Sequence, residues 1–223
     1  MESLIAACAL FLGMHWIVSG SPLRTPIVEA LGPRLFQALF SITIAISLVW
    51  MGFAYAHAPY QPTWGTAQAL QPLSLVLTLV AFLMFGLSIT DKNPTTLGRV
   101  PPDQVEARGM VRITRHAGLL GLGLWGFAHF IVNGDWASHL LFGSIAFQGL
   151  IGPLNLDRKY RSRFGADWTP FARQTSYLPF VAILQGRNRL VPGELNPWAA
   201  AITIAIFAAL LVAHRPLFGV APW

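Results

Sequence analysis

Six apolar runs govern what this chain can fold into: residues 4–19, 35–56, 70–90, 117–132, 138–156 and 197–213. None of them contains Asp, Glu, Lys or Arg. A helix that crosses a bilayer needs roughly 17–25 mostly apolar residues, and each run reaches or nearly reaches that length. Hydrophobic residues make up 54% of the 223 positions and charged residues 11%; soluble domains carry about a quarter charged residues. So few charges could not coat a water-soluble surface. Disorder, a coiled coil and a disulfide-stapled secreted domain are excluded on the same composition. In lipid every backbone polar group must be satisfied within the fold. The expected fold class is therefore all-α: a polytopic membrane protein of about six transmembrane helices, forming one transmembrane domain over residues 1–223.

The basic residues report orientation. Segments 20–34, 91–116 and 157–196 hold two, five and seven Lys or Arg, and the opposite side of a six-span chain holds only Arg215. Positive residues collect on the cytoplasmic side, so both termini are expected on the outer, periplasmic side of a bacterial inner membrane. The formal charge of +6 is thus a topology signal and implies no nucleic-acid partner. The N-terminal run reads as a retained span, because Glu2 replaces the basic start of a signal peptide. Asn133, Gly134 and Asp135 join the fourth and fifth runs as a turn tripeptide, with Asp135 capping the fifth helix. Residues 103–111 are expected to form a short interfacial helix, and 181–184 to lie at the interface. The basic run 158–163 reads as a lipid-headgroup anchor. The eight tryptophans, Trp223 among them, fall mostly near span ends, as an aromatic belt.

Chemistry must come from few residues. Cys8 is the single cysteine, which excludes internal disulfides and four-thiolate metal sites. There is no phosphate-cradling glycine loop, no G-x-S-x-G elbow and no H-E-x-x-H helix. Six histidines remain. His57 and His214 sit at outer span ends, His139 in the first turn of the fifth span, and His116 beside Arg115 at the cytoplasmic edge. His15 and His129 lie inside apolar runs, where an imidazole needs a partner or a job. One reading is an interhelical hydrogen bond, for example to Ser19 or Thr43. The other is a metal ligand. With no intramembrane carboxylate, haem iron fits better than a non-haem site, since it needs only one or two axial imidazoles. Gly118, Leu122, Trp125 and His129 share a helical face, and Gly118 would admit a flat ring. His116 and His129 are thirteen residues apart, about 20 Å along a helix, and cannot share one iron. Counted along the helices, His15 and His129 differ in depth by roughly 10–14 Å, which makes His15 with His116 the easier pair.

Several segments resemble NnrU proteins. They are residues 11–23 with His15 and Ser19, residues 34–50, the run Arg112-Ile113-Thr114-Arg115-His116, residues 124–135, and the tail 214–222. The motifs occur in order and cover most of the chain. The resemblance implies a bacterial membrane protein associated with denitrification, the reduction of nitrite and nitric oxide. The same domain occurs in zeta-carotene isomerases, which bind haem b and isomerise a cis double bond of a polyene. By that resemblance His15 and His129 are the axial ligands, and His116 belongs to the T-R-H motif. The isomerases have a cysteine three residues before the second ligand, proposed as an alternative iron ligand; here that position is Gly126. The implied partners are the lipid bilayer and either an apolar polyene or nitrogen-oxide reductase machinery. No catalytic residue is assigned. A fainter resemblance to integral-membrane methyltransferases rests on Arg115-His116, Gly121 and residues 160–179. There Ala117 and Leu119 replace a proline and a tyrosine, and the acidic pair reads Asp157-Arg158.

Overall fold

The computed structural model describes residues 1–95 and 100–222; Arg99, counted among the basic residues above, and Trp223 lie outside them. The expected runs are helices, with small shifts at their ends. They are α1 (Glu2–Gly13), α3 (Pro33–Ala56), α4 (Gln71–Ser88), α6 (Ala117–Val132), α7 (Trp136–Phe164) and α10 (Pro197–Phe218). Shorter helices lie between them: α2 (Arg24–Leu31), α5 (Met110–Ile113), α8 (Trp168–Gln174) and α9 (Val181–Leu184). By length and hydropathy, four described helical segments suffice to cross a membrane: Pro33–Ala56, Gln68–Ser88, Trp136–Gln174 and Pro197–Phe218. Glu2–Val18 and Ala117–Val132 are apolar but shorter. The lipid-facing character is plain on the outermost helices. Ile42, Ile46, Val49 and Phe53 of α3, and Ile202, Ile206 and Val212 of α10, are all exposed. A water-soluble monomer does not display an apolar surface of this extent.

The long helices pack in a row. α4 lies between α10 and α6, α7 lies against α6 and α1, and α1 lies against α3. The tightest join is between α6 and α7. A Cβ on Gly123 would stand 2.6 Å from the Leu150 nitrogen, and one on Gly126 would stand 2.8 Å from the Ala146 nitrogen and 2.9 Å from the Phe142 carbonyl oxygen. Glycine here lets two backbones touch, which is how helices associate where lipid supplies no hydrophobic drive. These contacts also show that α6 and α7 run antiparallel. α1 instead runs parallel to α7, since the Cys8 thiol donates to the Leu140 carbonyl at 3.4 Å and Lys159 Nζ donates to Ser19 Oγ at 2.8 Å.

Two segments depart from expectation. The turn tripeptide is a short strand, β2 (Asn133–Asp135), paired antiparallel with β1 (Pro62–Thr66) through Gly65 opposite Gly134. Asp135 does cap α7, accepting from the Ser138 N–H at 3.0 Å. The strand β1 had no periodic signal, because it is five residues long and exposed. The interfacial helix expected over 103–111 does not form. A 3-10 turn at Pro102–Gln104 and the one-turn α5 take its place. Gly109, at φ +53°, breaks the run, and the Asp91 carboxylate accepts from the Met110 N–H at 2.7 Å.

Candidate functional site

His15 lies where α1 changes pitch. Residues Met14–Val18 form a π-helical turn, a rare geometry that occurs disproportionately at functional positions. His15 Nδ1 lies 2.9 Å from the Phe11 carbonyl oxygen, four residues back. His129, near the end of α6, repeats the arrangement with Nδ1 2.9 Å from the Trp125 carbonyl oxygen. In each case the ring N–H donates to the carbonyl and fixes the tautomer. Nε2 is left with its lone pair, and among the described residues it has no hydrogen-bond partner. This is how a ligating histidine is oriented by its outer shell. Each ring also packs at a tilt against the aromatic residue whose carbonyl it uses: His15 against Phe11 at 4.7 Å and His129 against Trp125 at 4.6 Å. The interhelical partners considered from sequence, Ser19 and Thr43, are not used; Ser19 accepts from Lys159 instead.

The depth estimate changes. Helical side chains lean toward the N-terminus of their own helix. α1 and α6 run in opposite directions, so His15 and His129 lean toward each other in depth. Counting Cα positions misses this. Phe11 and Ile145 of α7 belong to one buried cluster, and Trp125 packs against it. Phe142, also of α7, stacks on His129 at 4.9 Å and meets Trp125 at 5.5 Å. Both carbonyl anchors therefore meet one stretch of α7. His116 meets Asp157, twelve residues past Ile145, about 18 Å further along that helix. Along α7, the anchors of His15 and His129 lie nearer each other than either lies to His116. The two rings do not touch: Phe40 of α3 flanks His15 at 5.4 Å, while Phe142 flanks His129. The notch foreseen at Gly118 is not open to a ring, because Ser88 Oγ would lie 3.0 Å from a Cβ there.

The T-R-H motif does something else. Arg115 and His116 both bind Asp157. Arg115 Nε donates to Oδ1 at 2.9 Å, its Nη2 pairs with Oδ2, and His116 Nε2 donates to Oδ1 at 2.7 Å. His116 is 1% exposed, and its Nδ1 is buried without a partner among the described residues. Thr114 Oγ1 donates to the Tyr177 carbonyl at 2.6 Å. The Arg115 carbonyl accepts from Asn93 Nδ2 at 2.8 Å. The motif thus ties the second and third basic segments and α7 into one knot. Nearby, Arg112 grips Glu194 with Nε at 2.7 Å and Nη2 at 2.9 Å. That grip, with the Gly109 N–H, holds the Glu194 carboxyl down at about 2. Burial pushes the Asp91 carboxyl up despite the Met110 N–H it accepts.

The remaining histidines are held locally. His139 lies between Trp64 at 4.3 Å and Phe130 at 4.7 Å. His57 and His214 reach the carbonyls of Phe53 and Val220. Among the described residues no three His, Cys, Asp or Glu come together as a metal site. The donor set that does exist, two imidazoles each with Nε2 unencumbered, fits haem better than a bare metal ion. Sequence reasoning missed the π-helical turn and the matched carbonyl anchors. The aromatic residue four positions before each histidine was only a partial signal, because exposed His57 has Phe53 at the same spacing.

Residues 3–222 match the family described as NnrU protein. A chloroplastic 15-cis-zeta-carotene isomerase of Arabidopsis thaliana is 39% identical over 192 residues, 83% of this chain and 52% of the relative. A chloroplastic 15-cis-zeta-carotene isomerase of Zea mays is 26% identical over 166 residues, 73% of this chain and 45% of the relative. The chain spans about half the length of these curated relatives. No solved structure matches it significantly.

Proposed function

This chain belongs to the NnrU family, and from that premise we propose that it is a multi-pass membrane protein that holds haem b and isomerises a cis double bond of a long apolar polyene. The observation that supports the reading is the pair His15 and His129, partly buried within apolar helices, each with Nδ1 tied to a carbonyl four residues back; His57 shares the tie but is exposed. Their Nε2 atoms would hold the haem, which supplies a redox-active iron in an apolar site. The chain's own part is structural. Phe11 and Trp125 fix the two tautomers, aromatic side chains keep water from both rings, and apolar helices admit a substrate from lipid. The likeness to two 15-cis-zeta-carotene isomerases supports the substrate class. Six spans with both termini outward, in a bacterial inner membrane, accord with the distribution of basic residues. The test is conversion of a cis polyene by the purified, reduced protein, read by chromatography. Conversion by the native protein and none by His129→Ala is expected. No conversion by haem-loaded native protein would overturn the isomerase reading.

Gly126 favours a second reading, support of nitrite and nitric oxide reduction as an accessory or redox component. The resemblance implies a cysteine at this position in the isomerases, and here the α7 backbone stands too close for any side chain. On this reading a strain lacking the protein accumulates nitrite or nitric oxide under denitrifying growth. Unchanged nitrogen-oxide flux would dismiss it.

A further inference from the structure

A concavity lies away from His15 and His129, at the end of the protein that carries the basic segments. It is a cavity of about 800 Å³ between the end of α7, α8 and α9. Arg115 and Trp168 line it, and Arg161, Arg173 and Arg187 stand around it. No acidic residue is among its described lining. Arg115 is neutralised by Asp157, so three cations remain uncompensated. Arg187 is fixed in place: Nη1 donates to the carbonyls of Arg173 and Thr175, and Nε donates to Gln185 Oε1 at 2.8 Å. Arg161 and Arg173 make no side-chain hydrogen bond or ion pair among the described residues.

Trp168 closes the inner wall: it is 1% exposed and carries the Arg115 guanidinium over its ring at 5.9 Å. Thr169 and Ser176 add hydroxyls to the same wall. Beside the cavity the chain turns apolar side chains outward: Leu178, Phe180 and, at 83% exposure, Leu184. A site that combines guanidinium groups, hydroxyls and an apolar lip matches an amphiphile with a phosphate head.

We infer that this cavity binds a phosphate-bearing anion, with the guanidinium groups of Arg161, Arg173 and Arg187 as its counter-charges. The apolar lip points to an anionic phospholipid headgroup as the source, and a soluble phosphate is the other source of the same chemistry. The site is independent of the haem site, so failure of one leaves the other standing.

The experiment uses the full-length protein in phosphatidylcholine nanodiscs. Phosphatidylglycerol, glycerol phosphate and inorganic phosphate are added separately, and thermal stability and lipid retention in native mass spectrometry are read. Phosphatidylglycerol is expected to raise Tm and to stay bound. A shift produced by glycerol phosphate or inorganic phosphate as well assigns the site to soluble phosphates. The variant Arg161→Gln/Arg173→Gln is expected to weaken binding by roughly ten- to thirty-fold. It should keep its Tm in phosphatidylcholine alone, because neither side chain supports the fold. The control Arg158→Gln/Arg163→Gln removes the same charge outside the cavity and should bind nearly as the native protein does. Equal losses in both variants would reduce the effect to surface charge and overturn the proposal. Equal stability in every lipid and phosphate would overturn it outright.

Discussion

His15 and His129 differ from His57, whose Nδ1 also reaches an aromatic residue's carbonyl four positions back, in being partly buried within apolar helices rather than exposed at a helix end. Each of the pair donates Nδ1–H to a main-chain carbonyl one turn back and packs at a tilt against the aromatic residue that owns it. His15→Ala or His129→Ala is therefore expected to remove most bound haem, measured as haem per chain, whereas His57→Ala and His214→Ala retain it. Full retention in both interior variants would dismiss the assignment. His116→Ala should keep haem and lose stability instead, by about 1–3 kcal/mol, because Asp157 loses a buried partner. A thermal melt beside the haem ratio separates the two effects. The histidines were legible in the sequence as polar residues in apolar runs. Their pairing was not, because it depends on the direction in which helical side chains lean. The role of Asp157 was only half legible: an acid beside the basic run shows in the sequence, but its two partners lie more than forty positions away.

The join between α6 and α7 depends on having no side chain at Gly123 and Gly126. Gly126→Cys would place a thiol between the two backbones. Here it is expected to destabilise the protein by about 1–3 kcal/mol through overpacking, seen as a lower Tm in detergent. An unchanged Tm would mean that the helices stand further apart than described. The link before α10 offers a separate test. Glu194 titrates near 2 because Arg112 binds it, well below its ordinary value. Its contribution is complete above about 4.5 and is lost as the pH falls toward 2. Glu194→Gln should lower stability at neutral pH and flatten its fall across that window. A variant with the native acid profile would contradict the pairing. The helices were legible because apolar length is a strong signal. The small β1–β2 sheet and the break at Gly109 were not, since one rests on a pairing between distant segments and the other on a positive φ.

The row of helices, with its basic segments at one end and the β1–β2 pair at the other, makes a statement about topology. In a Cys8→Ser background, single cysteines at Lys92 and Arg189 should react with an impermeant thiol reagent only from the cytoplasmic side. One at Tyr60 should react only from outside. Labelling of Tyr60→Cys and Lys92→Cys from the same side would break the six-span arrangement. The haem proposal bears on the molecule most heavily, and one spectrum addresses it. The detergent-purified protein, expressed with haem supplied, would be recorded oxidised and reduced and quantified as the pyridine haemochrome. A Soret band with sharp low-spin bands on reduction, at about one haem b per chain, is predicted for two axial imidazoles. No Soret band under those conditions would contradict it and leave His15 and His129 as hydrogen-bonded residues of a membrane scaffold.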